Sequence, residues 1–393
     1  MQISEYFSNP RSPYLFADIA RRVSVFKGQN PSCELLDMGI GDVTLPMSKT
    51  VVDALARAAA EMGSNDGFRG YAPCAGYDFL KDAICAAKYK NTAITPCDIF
   101  VCHGAKEALG AVTRLFAAGS RVILTEPVYP AYRDVNEMRG NTVLCASTGR
   151  EAEFIAAPPP FSADVVYLCS PNNPTGTAYT RAELEKWVDY ANKCGALIIF
   201  DAAYEAYITD SRCLHSIFEI PKAELCAIEI GSLSKSAGFT GMRCGWLAVS
   251  PKLVRGDGLS LKDLWSFTEA SHSNGVAYII QRAAEAALSD TGLAQTSAQV
   301  SYYRKNAELL AKALRSLGVY CTGATNAPYV WFECKKNKSS LETFDELLCA
   351  FSLVCTPGVG FGAGGEGFCR LSGFCTCDTA KKAAAALCEY FRP

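Results

Sequence analysis

A lysine that follows an apolar run could carry covalent chemistry. Lys235 lies in the segment SLSKSAGFTGMR, which begins at Ser232 and ends at Arg243. Burial at the end of a strand lowers the pKa of a lysine amine and frees its lone pair to attack a carbonyl carbon. Ser232, Ser234 and Arg243 add hydroxyl groups and a guanidinium that suit a phosphate dianion. Taken alone, the segment also fits a solvated polar loop.

Three more polar residues follow other apolar runs. Asp201 ends the run ALIIFD, Tyr204 comes three residues later, and Asn173 lies in the turn SPNNPTG. Beneath a pyridine ring, the carboxylate of Asp201 would pair with the ring nitrogen and keep it protonated. Tyr204 and Asn173 would then bind an oxygen on the edge of that ring. Each residue alone also fits an ordinary strand end or turn.

A glycine-led helix and an aromatic residue extend this pattern. The segment GAKE predicts a helix that starts after Gly104 and runs to Gly119, with Ala105 and Lys106 in its first turn. Free N–H groups and the positive end of the helix dipole favour an anion there. Tyr129 lies just past a predicted strand, where its ring could stack on a flat ligand. The alternative is an ordinary aromatic residue in a loop.

These residues all follow predicted strands of one sheet. The four apolar runs that predict its strands are 120–127, 164–171, 196–204 and 226–235. A capping box formed by Thr180 and Glu183 starts a helix that extends to about Asn192. Strands separated by helices indicate an α/β fold with a mostly parallel, doubly wound sheet. Ligands of such sheets bind beyond the carboxyl ends of the strands, where every motif above lies.

The pattern changes in the last third of the chain. Helical stretches at 277–289 and 293–317 precede strands near 328–334 and 367–372 and a last helix at 378–391. We therefore expect a large ligand-binding domain at 46–275 and a smaller α+β domain at 276–393. Residues 1–45 are expected to form an N-terminal arm and part of the small domain.

Composition excludes several classes of protein. The 393 residues carry 38 lysines and arginines against 40 acids, so we expect no nucleic-acid partner and no membrane-binding patch. The sequence shows no signal peptide and no apolar run of membrane-spanning length, which predicts a cytoplasmic protein. Nineteen cysteines contain no CxxC pair, and none of the three histidines lies at metal-ligand spacing from a cysteine pair. We therefore expect no metal site and no disulfide framework.

The order and spacing of the polar residues resemble those of fold type I pyridoxal-phosphate aminotransferases. Within that group, the chain resembles the LL-diaminopimelate aminotransferase family over nearly its whole length. The stretches that carry the resemblance are MGIGD (38–42), FRGYAP (68–73), SLSKSAGFTGMRCGW (232–246), SNGVAYIIQ (273–281) and GEGFCRLSGF (365–374). The resemblance implies a fold type I architecture, pyridoxal 5'-phosphate as cofactor, amino acid and 2-oxo acid substrates, and a homodimer with shared active sites.

The resemblance also implies a role for each matching residue. The catalytic residues would be Lys235, Asp201 and Tyr204. The cofactor would be bound by Ala105, Lys106, Tyr129, Asn173, Asp201, Tyr204, Ser232, Ser234, Lys235 and Arg243, with Tyr71 and Asn274 reaching across the dimer. The substrate would contact Tyr14, Gly41, Lys106, Tyr129, Asn173, Asn274 and Arg370, the last of which would hold its α-carboxylate. The peptide bonds Glu126-Pro127 and Asn173-Pro174 are expected to be cis.

Two positions depart from the family pattern. Cys74 stands where the family usually has an acidic residue that binds the distal ammonium of diaminopimelate, and Leu233 stands where it usually has phenylalanine. Three functions therefore stay open. The chain is expected to transfer the amino group of LL-diaminopimelate to 2-oxoglutarate in lysine biosynthesis. The alternatives are an aminotransferase that acts on another amino acid, such as lysine, and a pyridoxal-phosphate lyase.

Overall fold

The computed structural model describes residues 5–7, 15–39, 41–146 and 148–392. The α-helices in these ranges are α1 Leu15–Gln29, α2 Lys49–Glu61, α3 Asp78–Lys88, α4 Ala105–Val112, α5 Ala131–Met138, α6 Arg181–Cys194, α7 Leu261–His272, α8 Tyr278–Leu288, α9 Asp290–Ser316, α10 Ser340–Phe351 and α11 Cys377–Phe391. The strands are β1 Leu36–Asp37, β2 Ile99–Cys102, β3 Arg121–Leu124, β4 Thr142–Cys145, β5 Val165–Cys169, β6 Leu197–Asp201, β7 Ala227–Ser232, β8 Gly245–Val249, β9 Cys321–Gly323, β10 Tyr329–Glu333, β11 Leu353–Val354, β12 Thr356–Pro357 and β13 Phe368–Ser372.

The largest sheet has seven strands in the order β4-β3-β5-β6-β7-β8-β2. The first five strands in this order run parallel to one another, and β8 runs antiparallel to both β7 and β2. Apolar residues pack on both faces of the sheet, as continuous apolar strands require. The predicted mostly parallel α/β sheet is therefore confirmed.

The predicted strands end earlier than their apolar runs suggested. β5 ends at Cys169, β6 at Asp201 and β7 at Ser232, and these three strands are adjacent in the sheet. Asp201 lies opposite both Cys169 and Ile230 in the parallel register. The polar residues that follow therefore leave the sheet side by side at one edge.

Helix α4 is shorter than expected. It starts at Ala105 as predicted, but it ends at Val112 and continues only as a 3-10 turn, not as a helix to Gly119. The hydroxyl of Thr113 donates to the carbonyl of Gly110 at 2.7 Å, and the chain becomes extended at Phe116. The early end lets the chain turn back into β3. The predicted capping box at the start of α6 is confirmed.

Two smaller sheets are formed by the C-terminal strands together with β1 from the N-terminal region. One is antiparallel, in the order β12-β13-β10-β9, and the other pairs β1 with β11 in parallel. Leu36 and Met38, from the N-terminal region, are buried in the same apolar cluster as residues of α9, α10 and α11. This packing agrees with an N-terminal segment that joins the C-terminal elements. The domain boundaries at 45 and 275 stay predictions.

Both peptide bonds expected to be cis, Glu126-Pro127 and Asn173-Pro174, are cis. A third, Ser170-Pro171, is also cis and was not foreseen. Within the described ranges, none of the helices has the length and apolar character needed to cross a membrane.

Candidate functional site

A cavity of about 560 Å³ lies where the predicted site residues meet. Twelve of them line it: Gly41, Ala105, Lys106, Tyr129, Asn173, Asp201, Tyr204, Ser232, Ser234, Lys235, Arg243 and Arg370. Gly41 follows β1, and Arg370 lies on β13. The others lie in the first turn of α4, in the segments after β3, β5, β6 and β7, or at the last residue of β6 or β7. The carboxyl edge of the parallel strands therefore forms one wall of this cavity, and the smaller antiparallel sheet contributes a residue to another.

Two predicted residues, Tyr71 and Asn274, do not line the cavity of this chain. The side chain of Tyr71 is 86% exposed, and Asn274 is also exposed. The resemblance expected both to act across a dimer. Tyr14 lies outside the described residues.

Lys235 brings a largely buried amine to the cavity. Its Nζ donates a hydrogen bond to the backbone carbonyl of Gly41. Burial lowers the pKa of Lys235 to about 8; the carboxylate of Asp42 opposes this shift, and the charge of Arg370 adds to it. A substantial fraction of this amine is therefore neutral near physiological pH, as nucleophilic attack and proton abstraction require.

Asp201 is a buried carboxylate, with 5% of its surface exposed. Its Oδ1 accepts the N–H of Ala203 at 2.9 Å, and its Oδ2 accepts the hydroxyl of Tyr132 at 2.6 Å. Burial raises the pKa of Asp201, while the hydrogen bond from Tyr132 lowers it. No described lysine or arginine forms an ion pair with Asp201. A buried carboxylate without a counter-charge suits a ligand that brings a cation.

A tyrosine pair lies beside Asn173 in the cavity wall. The hydroxyls of Tyr204 and Tyr329 are 2.7 Å apart, and both side chains are buried. Burial raises the pKa of both phenols, so both stay protonated donors at neutral pH. Tyr204 and Asn173 can thus present a hydroxyl and an amide to an oxygen of a bound ring.

The opposite end of the cavity is built for an anion. Gly104 precedes α4 with φ 86°, and a Cβ at this position would lie 2.2 Å from Nη2 of Arg243. Only glycine lets the guanidinium approach the helix start this closely. No side chain caps the first turn of α4, and Ser232 and Ser234 line the same end. Helix amides, hydroxyls and a guanidinium together form a phosphate cradle.

Arg370 is a buried cation held by neutral groups. Only 1% of its surface is exposed, and its Nη1 donates to Oδ1 of Asn173 at 2.7 Å. Its Nη2 donates to the carbonyl of Gly39 at 2.8 Å, and its Nε has no hydrogen-bond partner. No described carboxylate forms an ion pair with it. The guanidinium is therefore ready to bind an incoming carboxylate.

Sequence reasoning missed several residues that line the cavity, among them Tyr132, Tyr329 and Asp42. Asp42 belongs to the motif MGIGD, and Tyr132 follows Tyr129 by three residues at the start of α5, so both had a local signal. Tyr329 had none, because it reaches Tyr204 from a strand 125 residues later.

The arrangement fits one kind of ligand. A phosphate cradle, an unpaired carboxylate and a buried amine line one cavity, and they match a phosphorylated pyridine that carries an aldehyde. Arg370, which lines the same cavity, matches the carboxylate of an amino acid. The residues present therefore fit pyridoxal 5'-phosphate and an amino acid substrate together.

Comparison with known proteins gives the same picture. The family description "Aminotransferase class I and II" matches residues 34–387. The chain is 44% identical over 387 residues to an LL-diaminopimelate aminotransferase of Agathobacter rectalis, which covers 95% of this chain and 96% of that protein. It is 43% identical over 390 residues to one from Bacteroides thetaiotaomicron, with 95% of each chain covered.

Solved structures agree with these sequence matches. The L,L-diaminopimelate aminotransferase of Chlamydomonas reinhardtii superposes with a TM-score of 0.95 at 33% identity, covering 100% of this chain and 99% of that one. A double mutant of the aspartate aminotransferase of Thermus thermophilus superposes with a TM-score of 0.86 at 21% identity, covering 99% of each chain. The second likeness shows the fold alone.

Proposed function

The chain belongs to the aminotransferase class I and II family, and on that premise we propose that it is an LL-diaminopimelate aminotransferase. As a member of this family it is a pyridoxal-phosphate-dependent aminotransferase. The proposed reaction moves the amino group of LL-diaminopimelate to 2-oxoglutarate, in lysine biosynthesis. The observation that carries an amino-acid substrate is the buried, uncompensated guanidinium of Arg370 in the same cavity as Lys235.

We assign the cofactor contacts from the cavity wall. The phosphate would be held by Ala105, Lys106, Ser232, Ser234 and Arg243, and Tyr129 would stack on the ring. The ring oxygen would be held by Asn173 and Tyr204, and the ring nitrogen by Asp201. Pyridoxal phosphate, when bound, supplies an electron sink that stabilises negative charge at the α-carbon of the substrate.

The chain's own residues then divide the work. Arg370 binds the α-carboxylate and so orients the substrate amine towards Lys235. The amine of Lys235 removes the proton from the α-carbon as a base and returns it as an acid to the carbon on the other side of the amino nitrogen. Asp201 holds a proton on the ring nitrogen throughout. Burial of these groups keeps water from competing for the protons that they exchange.

We further propose that a second copy of the chain completes the site. Tyr71 is highly exposed, and Phe68 and Phe267 are exposed apolar neighbours of the two segments expected at the interface. A dimer would cover these rings and bring Tyr71 and Asn274 to the partner's cavity. Obligate dimers of this kind bury well above about 2,000 Å² in total. Sedimentation of the holoenzyme tests this proposal, since a monomer at assay concentration contradicts it. The cytoplasmic location stays a prediction.

A panel of amino donors tests the substrate. Purified holoenzyme is mixed with LL-diaminopimelate, lysine, glutamate or aspartate, and the absorbance of the bound cofactor is followed through the first half-reaction. LL-diaminopimelate is expected to react with the highest kcat/KM, and 2-oxoglutarate to restore the starting spectrum. A higher kcat/KM for lysine would instead support the second function. Release of carbon dioxide together with an amine, or of ammonia without consumption of 2-oxoglutarate, would support a lyase.

A further inference from the structure

Asp201 is held in place from two sides by this chain. Its Oδ1 accepts a backbone N–H, that of Ala203, and its Oδ2 accepts the phenol of Tyr132 at 2.6 Å. The backbone donor lies in the turn directly after β6 and does not depend on the side chain of Ala203. The phenol comes from α5, 69 residues away in sequence, so this hydrogen bond requires a tyrosine at position 132. The orientation of the carboxylate therefore depends on Tyr132.

The ring of Tyr132 is itself fixed. Only 1% of the residue is exposed, and its ring stacks on that of Tyr167, with centroids 5.2 Å apart and planes at 28°. The ring of Tyr129 packs against its edge at 5.8 Å and 85°. The hydroxyl of Tyr132 therefore cannot swing away from Asp201 without unpacking two other aromatic rings. The same contact ties Tyr129 to Asp201 through one side chain.

We infer that Tyr132 is a positioning residue, which sets the orientation and the proton affinity of Asp201. Through Asp201 it strengthens the binding of the ring nitrogen of the cofactor. This inference rests on the proposed role of Asp201 but not on the identity of the amino donor. Tyr132 acts in addition to the cofactor contacts assigned above, and it needs no direct contact with the reacting atoms.

The physical reason lies in the competition at the carboxylate. A donor on Oδ2 stabilises the ionised form of Asp201, which burial disfavours. Without the hydroxyl of Tyr132, the carboxylate of Asp201 binds a proton more tightly. It therefore competes more strongly for the proton on the ring nitrogen of the cofactor. The carboxylate also becomes freer to rotate about its Cβ–Cγ bond, because only the N–H of Ala203 then holds one of its two oxygens. Both effects weaken the carboxylate–pyridinium pair.

The test compares two variants that each remove one oxygen from a buried tyrosine. Tyr132→Phe removes the donor to Asp201, and Tyr167→Phe removes the hydroxyl of the ring stacked on it, which has no bond to Asp201. Apoenzyme is titrated with pyridoxal phosphate to give the dissociation constant. The ¹⁵N resonance of labelled cofactor reports on the ring nitrogen directly.

Tyr132→Phe should raise the dissociation constant by roughly 10- to 100-fold, the range for loss of a hydrogen bond to a charged group, and move the ¹⁵N resonance. Tyr167→Phe should leave both readouts at the wild-type values even where thermal unfolding shows that it destabilises the apoprotein. Equal effects of the two variants, or an unchanged resonance in Tyr132→Phe, would overturn the inference.

An Asp201→Asn background separates the two claims. In that background Tyr132→Phe should have no further effect on cofactor affinity, because no ionised carboxylate is left for the phenol to stabilise. A further loss would show that Tyr132 acts independently of Asp201 and would overturn the inference. Wild-type cofactor affinity and resonance in Asp201→Asn alone would instead overturn the proposed role of Asp201. If Tyr132→Phe does not fold, infrared spectroscopy of Asp201→Asn gives a second test. The C–O stretch of one tyrosine should shift in that variant, and an unchanged spectrum would contradict the hydrogen bond between Tyr132 and Asp201.

Discussion

Two cavities at the ends of the same strands contain charged side chains, and they differ in whether the lysines and arginines form ion pairs. Lys235, Arg243 and Arg370 share the large cavity, and none of them forms an ion pair with a described carboxylate. A second cavity of about 90 Å³ contains Lys88, whose Nζ lies 2.5 Å from Glu205. The three cations of the large cavity therefore lack an ion-pair partner among the described residues, whereas Lys88 in the second cavity has one. Glu229, which also lines the second cavity, forms no ion pair with a described residue but accepts hydrogen bonds from Tyr89, Ser216 and the N–H of Ile217.

Strand geometry explains how the two regions lie so close together. Asp201 and Ser232 line the large cavity, whereas Ala202 and Gly231, their immediate neighbours, line the small one. Successive residues of a strand point to opposite faces, so the two cavities lie on opposite sides of β6 and β7. An unmatched buried charge is costly and persists where a ligand supplies the counter-charge. The comparison therefore separates a binding site from a structural ion pair.

Loss of the reactive amine should have the largest effect. We expect Lys235→Ala to lower turnover by at least about 10⁴-fold, because it removes both the covalent attachment and the base. Single-turnover kinetics of the purified variant measure this. Lys88→Ala is the control, since it removes a buried lysine on the other side of the strands and should retain turnover. Equal losses would remove the distinction between the two cavities.

The next effect concerns the unpaired guanidinium. Arg370→Lys keeps the charge but loses the fork that binds a carboxylate through two hydrogen bonds. We expect kcat/KM for amino acids to fall by roughly 10²-fold, with each lost bond contributing about 1.5–3 kcal/mol. Arg150→Lys is a matched control, since Arg150 pairs with Glu333 at the surface. A kcat/KM unchanged in Arg370→Lys would mean that another group holds the α-carboxylate.

Cys74 should affect the choice of substrate by a smaller factor. In the proposed dimer it would meet the partner's cavity where the family usually has an acid, and it is half-buried in this chain. Cys74→Glu should raise kcat/KM for LL-diaminopimelate over glutamate by roughly 10-fold or more, as expected for one new bond to a buried ammonium. Cys349→Glu, at an exposed cysteine, serves as control. If Cys74→Glu changes this ratio no more than Cys349→Glu does, position 74 does not bind the distal ammonium. Asp42, which lines the cavity together with Asp201, is then the acid to test.

The smallest effect on activity should come from the matched region. Burial would raise the pKa of Glu205, but the charge of Lys88 and the hydrogen bonds from His215 and Lys88 overcome it and lower that pKa to about 2. The stability that Glu205 contributes is therefore present above its unfolded value of 4.5 and is lost as the pH falls towards 2. Glu205→Gln should lower the free energy of unfolding by about 3 kcal/mol at pH 7. As the pH is lowered, the free energy of unfolding of the variant should also fall less steeply than that of the wild type.

Denaturant unfolding of the apoprotein between pH 3 and 7 measures that loss. The dissociation constant for pyridoxal phosphate should stay at the wild-type value, because the second cavity faces away from the first. A weakened cofactor affinity in Glu205→Gln would show that the two cavities are coupled and would break the comparison.

The sequence was sufficient for the part of the site that depends on local pattern. Asp201, Ser232 and Asn173 each follow an apolar run, and parallel strands bring such positions to one edge. The position of Arg370 was reached through a resemblance, because nothing local shows that β13 faces the large sheet. Tyr329 and the phenol of Tyr132 were missed since both contacts join distant segments, and their distances depend on how helices and sheets pack.

The central claim is that the unmatched charges of the large cavity belong to a cofactor bound through Lys235. Reduction of the holoenzyme with borohydride, followed by proteolysis and mass spectrometry, tests it most directly. One lysine should gain the mass of a phosphopyridoxyl group, and it should be Lys235 in the peptide that contains Ser232 and Ser234. The same mass on Lys106 or Lys88, or on no lysine at all, would contradict the claim.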